Sequence, residues 1–143
     1  MKIKFIYMVI WATLLISQLI YYLQTLLVKP VSSTQIRLLT DLFFGISALI
    51  VLATAIMRYK LIYQPITEGK RDIADSGDAG KLLVYYIIIL VLCDAISVFG
   101  LVAFFLGYPA AVYDQFFVIG VGATALQLPI EVLRKRERRG RVV

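Results

Sequence analysis

Leu82–Leu106 reads LLVYYIIILVLCDAISVFGLVAFFL, 25 residues with one charge, Asp94, at the middle. An apolar run of that length is a transmembrane helix candidate, because about 20 residues span the hydrocarbon core. A carboxylate at the centre of such a helix costs roughly 2.5–3.5 kcal/mol on insertion scales, so it faces other protein or a water-filled cavity. Asp94 lies twelve residues beyond Leu82. At 1.5 Å per residue that is about 18 Å, close to the bilayer midplane. The rest of the chain is read as the bundle that hides or uses Asp94, which is expected to be uncharged at rest or to share a proton.

Within this helix, steps of three and four place Tyr86, Leu90, Cys93, Ser97, Gly100 and Phe104 on one stripe, with Asp94 at its border. The stripe is smaller and more polar than the opposite face. Small residues let helices approach closely and polar ones hydrogen-bond across them. Asp94, Ser97 and Gly100 are therefore the leading site residues, as a helix–helix seam or as an ion-carrying position. Ser17, Gln24, Thr54 and Gln127 are the expected partners for Asp94.

Upstream, Arg58–Lys81 is the one substantial polar segment, broken by Pro65, Gly69, Gly77 and Gly80. Asp75-Ser-Gly-Asp78 lacks the spacing and terminal Glu of a calcium loop. Gly80-Lys81-Leu82 lacks the earlier Gly and the Ser/Thr of a phosphate loop. The segment reads as a solvated connector. Two further apolar runs precede it. Phe5–Val28 follows a basic start and reads as a retained anchor, since no small-x-small cleavage site follows it. After Lys29-Pro30, Ser32 and Gln35 offer a capping box for a second helix, which runs towards Tyr63. Downstream, Gly107-Tyr108-Pro109 makes a tight turn into a fourth apolar run, with Pro129 kinking it or marking its last turn.

The expected architecture is all-α, a four-helix transmembrane bundle forming a single membrane domain over residues 1–143. Its spans cover about 5–28, 36–59, 82–106 and 113–133, with a polar loop near 60–80 and a basic tail at 134–143. Of the 15 Lys and Arg, thirteen lie at the amino terminus, the middle loop and the tail, and two in the other connections. By the positive-inside rule both termini are cytoplasmic, which implies a multi-pass protein of the cell inner (cytoplasmic) membrane. Tyr7, Tyr59, Tyr63, Tyr85 and Tyr86 fall at the inner helix ends and Tyr21, Tyr22, Tyr108 and Tyr113 at the outer ends, as interfacial belts would.

Composition narrows the chemistry. The chain is 61% hydrophobic, against about 45–50% in soluble domains, with mean hydropathy +0.87. There is no histidine and one cysteine, Cys93. That removes His-ligated haem or zinc, Ser-His and Cys-His dyads, an internal disulfide and iron–sulfur clusters. No cofactor and no metal site is expected, and no nucleophile–base pair is visible. The net charge of +6 lies beside apolar runs and does not imply nucleic acid. The expected partners are the lipid bilayer and a membrane protein or a second copy. Arg134, Lys135, Arg136, Arg138 and Arg139 are candidates for anionic-lipid contact. Asp41, four residues after Arg37, reads as half of an interfacial i,i+4 pair or as an outer station on a polar path to Asp94. Gln24 and Gln127 are the other secondary polar candidates, and Gly120-x-x-x-Thr124 is a small-xxx-small pattern that could serve a homodimer.

Asp94-Ala-Ile-Ser-Val-Phe-Gly-Leu101 resembles the carboxylate-helix motif of the proteolipid (c-type) subunits of rotary ATPases, in which a carboxylate is followed by small residues, an aromatic, Gly and Leu. The resemblance implies an ion-carrying role for Asp94. It covers eight residues, with Cys93 where proline is common and only Gly45 in the second helix, where the family is glycine-rich. In layout the chain more fully resembles small uncharacterised four-helix bacterial membrane proteins with a basic carboxyl end.

Overall fold

The computed structural model describes residues 2–29, 37–70 and 76–129. The Ser32–Gln35 capping box and the basic tail, with the lipid-contact candidates Arg134, Lys135, Arg136, Arg138 and Arg139, lie outside these residues. The elements among the described residues are all helices, with no strand: α1 (Lys2–Leu27), α2 (Arg37–Met57), a π-helical turn (Arg58–Tyr63), α3 (Gln64–Thr67), α4 (Ser76–Phe105) and α5 (Ala110–Leu126). Three helical stretches are long and apolar enough to cross a membrane: Lys4–Leu27, Leu38–Thr67 and Gly77–Phe105.

The central element is α4. It packs against α1, α2 and α5, whereas α1 and α2 share no substantial contact with each other. Tyr86, Leu90, Cys93, Ser97, Gly100 and Phe104, the stripe expected to face protein, are all buried. The opposite stripe, Val84, Ile88, Val91, Val98, Val102 and Phe105, is exposed. Both stripes advance in steps of three and four, so α4 splits cleanly into two faces. Large apolar side chains are also bare on α1 and α2, among them Phe5, Leu19, Leu27, Leu38, Leu49 and Leu52. A soluble protein rarely exposes so extensive an apolar surface. Against lipid it costs nothing, and helix association rests on close packing and interhelical hydrogen bonds instead.

Three boundaries differ from the sequence expectation. Pro65 does not end the second helix. The backbone widens ahead of it, with Gln64 N donating to Tyr59 O five residues back, and continues as α3 to Thr67. The wider turn accommodates a residue that lacks an N–H and crowds the preceding carbonyls. The chain stops helically only at Gly69, whose φ of 72° suits glycine. The expected loop also loses residues at its far end, because α4 begins at Ser76 and carries Asp78 in its first turn, where a negative charge suits the helix dipole. Finally, α5 ends at Leu126 rather than running on through Pro129. Gln127 N and Leu128 N tighten onto Thr124 O and Ala125 O at 3.1 and 3.2 Å. The residue before a proline is biased away from helical geometry, which accounts for the early stop.

Between α4 and α5 the chain reverses in a Schellman turn, in which Tyr108 N donates to Ala103 O (3.1 Å) and Gly107 N to Phe104 O (2.9 Å). Gly107 takes the left-handed position, with φ 76°.

Candidate functional site

The site grows from two seams along α4. On the α5 side the helices approach closely. A methyl group added at Gly120 would overlap Ser97 Oγ and lie 3.1 Å from Ser97 N. One added at Gly100 would lie 3.0 Å from Phe116 Cβ and 3.1 Å from Tyr113 O. Ser97, Gly100 and Gly120 are thus where the two backbones meet. The Gly120/Thr124 pattern is buried within the chain, against α4 and α1, rather than presented to a second copy. Aromatic rings close the end of this seam nearest the α4–α5 turn, with Phe44 stacked on Phe116 at 4.3 Å and Phe43 on Phe99 at 4.9 Å.

On the α1 side the seam is polar. Ser17 Oγ lies 3.1 Å from Asp94 Oδ1 and 2.8 Å from Leu14 O. Gln18 also faces the carboxylate, and its Nε2 donates to Thr124 Oγ1 on α5 at 2.7 Å. Trp11 Nε1 donates to Thr124 O at 2.9 Å. A serine hydroxyl has one hydrogen. Ser17 cannot fully serve both the carbonyl and an ionised carboxylate, whereas a proton on Asp94 would satisfy both contacts. Of the four buried side-chain oxygens that have no hydrogen-bond partner among the described residues, Gln18 Oε1 and Ser97 Oγ lie along these seams.

Of the four partners expected for Asp94, the structure brings Ser17 to it. Gln24 is exposed, and Gln18 takes the inward position. The inward stripe of α1 runs through Tyr7, Gln18 and Thr25, and Gln24 lies about 100° around the helix from Thr25. Thr54 is buried but donates to Val51 O and faces the Cys93 thiol. Gln127 is buried too, near the opposite end of the bundle from the α4–α5 turn, where its Oε1 accepts from Arg58. Asp41 is exposed on α2, and the side chain of Arg37 lies outside the described residues.

The sequence reading missed the group around Gln127. Arg58 Nη1 donates to Leu126 O and, at 3.1 Å, to Gln127 Oε1, and Nη2 donates to Leu128 O at 2.8 Å. Tyr86 OH donates to Gln127 O at 2.8 Å. Together these fasten the carboxyl end of α5, whose last carbonyls have no partner within the helix. Arg58 reads in sequence as one more topology cation. The signal available was its place, one residue after the apolar run Leu38–Met57. Tyr7 and Tyr86 are likewise inward, with ring centroids 5.1 Å apart, and Tyr108 is buried, so these three do not belong to an interfacial belt. Tyr22, Tyr59 and Tyr63 are exposed, as belt residues would be.

Among the described residues these features define an all-α fold with three helical stretches long and apolar enough to cross a membrane and a carboxylate held in an interhelical seam. Comparison with known families, curated proteins and solved structures finds no match to this chain.

Proposed function

We propose that this is a non-enzymatic, multi-pass protein of the bacterial inner (cytoplasmic) membrane, with both termini cytoplasmic, acting as an accessory or assembly subunit for a membrane partner. The observation that carries the reading is the engagement of Asp94 with Ser17 across the α1–α4 seam. Its neighbours Ser97 and Gly100 serve contact with α5. The carboxylate is used in holding helices together, and the exposed apolar faces of α1 and α2 remain for lipid or a partner. The tail cations contact anionic lipid on the cytoplasmic side.

A second reading, proton or cation passage through Asp94, is favoured by the unsatisfied Gln18 Oε1 and Ser97 Oγ and by the proteolipid-like motif. Purification in mild detergent separates the two. A discrete co-purifying membrane protein is the expected result. A homo-oligomer that moves protons across liposomes, and loses that activity in Asp94→Asn, would replace the first reading with the second.

A further inference from the structure

A groove of about 360 Å³ runs between α2 and α5, where these helices touch only sparsely. Its walls are apolar along Val51, Ala55 and Leu126, and one end carries Arg58, Tyr59 and Tyr63. Val51, Ala55, Tyr59, Tyr63 and Leu126 are exposed, so the groove opens sideways from the bundle. Arg58 lies twenty residues beyond Leu38 on a nearly continuous helix. At 1.5 Å per residue that is about 30 Å, the thickness of the hydrocarbon core, which puts its guanidinium at headgroup depth. The Tyr59 and Tyr63 rings stack beside it at 5.8 Å, as aromatics do at the membrane interface. Lys60, two residues on, is exposed.

We infer that this groove is a binding site for one anionic glycerophospholipid from the leaflet on the Arg58 side. Its phosphate lies at Arg58 and the tyrosine hydroxyls, and an acyl chain lies along Val51, Ala55 and Leu126. The wall chemistry selects the occupant. An apolar slot ending in a cation and phenols matches an acyl chain ending in an anionic headgroup. The π-helical turn contributes directly, because it begins at Arg58 and re-aims the backbone that carries Tyr59 and Tyr63. The inference rests on the chain being membrane-embedded and is independent of the role of Asp94.

The test is native mass spectrometry of detergent-purified protein mixed with equimolar dioleoyl-phosphatidylglycerol and dioleoyl-phosphatidylcholine. Wild type should retain a single lipid, with about fivefold preference for phosphatidylglycerol, as expected for one cation beside a headgroup of net negative rather than zero charge. Arg58→Gln should lose the preference. Because Arg58 also fastens α5, Ala55→Phe provides the second arm. It fills the slot and leaves the guanidinium in place, and should lower retention of both lipids at unchanged thermal unfolding temperature. Asp94→Asn should leave retention unchanged, so that failure here and failure of the proposed function are distinguishable. Equal retention of both lipids by wild type, or full retention by Ala55→Phe, would overturn the inference.

Discussion

On its α5 side, α4 meets its neighbour through Ser97, Gly100 and Gly120, with no side chain to spare between the backbones. On its α1 side, it meets Ser17 through Asp94, with a hydrogen bond spanning the gap and Gln18 facing the carboxylate. In a bilayer, where burial from water does not drive helices together, these are the two means of association that depend on side chains. The first depends on the absence of atoms and the second on the identity of atoms. The α5 seam should therefore be intolerant of size and indifferent to polarity, and the α1 seam the reverse.

The largest expected effect follows from the first half of that contrast. Gly120→Val places branched carbon where Ser97 already sits. Overpacking of this kind costs about 3 kcal/mol, at the upper end of its usual range. A lowered thermal unfolding temperature in detergent would report it, and a second change, Ser97→Gly, should recover part of the loss. Gly120→Val at wild-type stability would mean that the helices are further apart than described.

On the α1 side, Asp94→Leu removes the carboxyl that Ser17 meets across the seam. Loss of a buried partner costs about 1–3 kcal/mol. Asp94→Asn keeps size and hydrogen-bonding capacity and should unfold close to wild type. Equal damage from Asn and Leu would show that charge matters at this position rather than hydrogen bonding.

Tyr86→Phe is predicted to cost less, about 1 kcal/mol, because it deletes one hydrogen bond, to Gln127 O, and keeps the ring against Tyr7. Proteolysis of the chain beyond α5 should quicken in this variant. No change in cleavage rate would mean that Arg58 alone suffices to fasten the helix end.

The smallest effect lies outside both seams. The Lys70 ammonium, 2.6 Å from Glu68 Oε2, and the Gln64 amide, 2.7 Å from Oε1, hold the Glu68 carboxyl below its ordinary value of 4.5. A carboxyl depressed on folding contributes stability above its unfolded pKa and loses it as pH falls through the folded one. The pair is exposed, so Glu68→Gln should fall only slightly below wild type near neutral pH and converge with it as pH drops through the folded pKa. A large shift at pH 7 would contradict a surface pair.

What was legible in the sequence followed from periodicity. The two faces of α4 could be assigned because apolar, small and polar residues recur there in steps of three and four. Asp94 stood out because a charge in an apolar run has so few tolerable surroundings. Two kinds of feature escaped. Gln18 rather than Gln24 faces inward because α1 is apolar nearly all round, so that its few polar residues do not by themselves fix its rotation. Arg58 and the passage of Pro65 escaped because a cation after an apolar run and a proline within a polar segment usually mark a helix end. Here a π-helical turn carries the chain on and turns the guanidinium onto α5.

The central claim is that Asp94 works by binding Ser17 across the seam, and a double-mutant cycle tests it most directly. Ser17→Ala, Asp94→Leu and the double variant would be compared with wild type by reversible unfolding in one detergent. Interacting pairs in membrane bundles couple by about 0.6 kcal/mol on average and up to about 1.7. The predicted result is a coupling of about 1 kcal/mol, with the double variant less damaged than the two single losses together. Additivity within about 0.3 kcal/mol, the behaviour of independent sites, would contradict it.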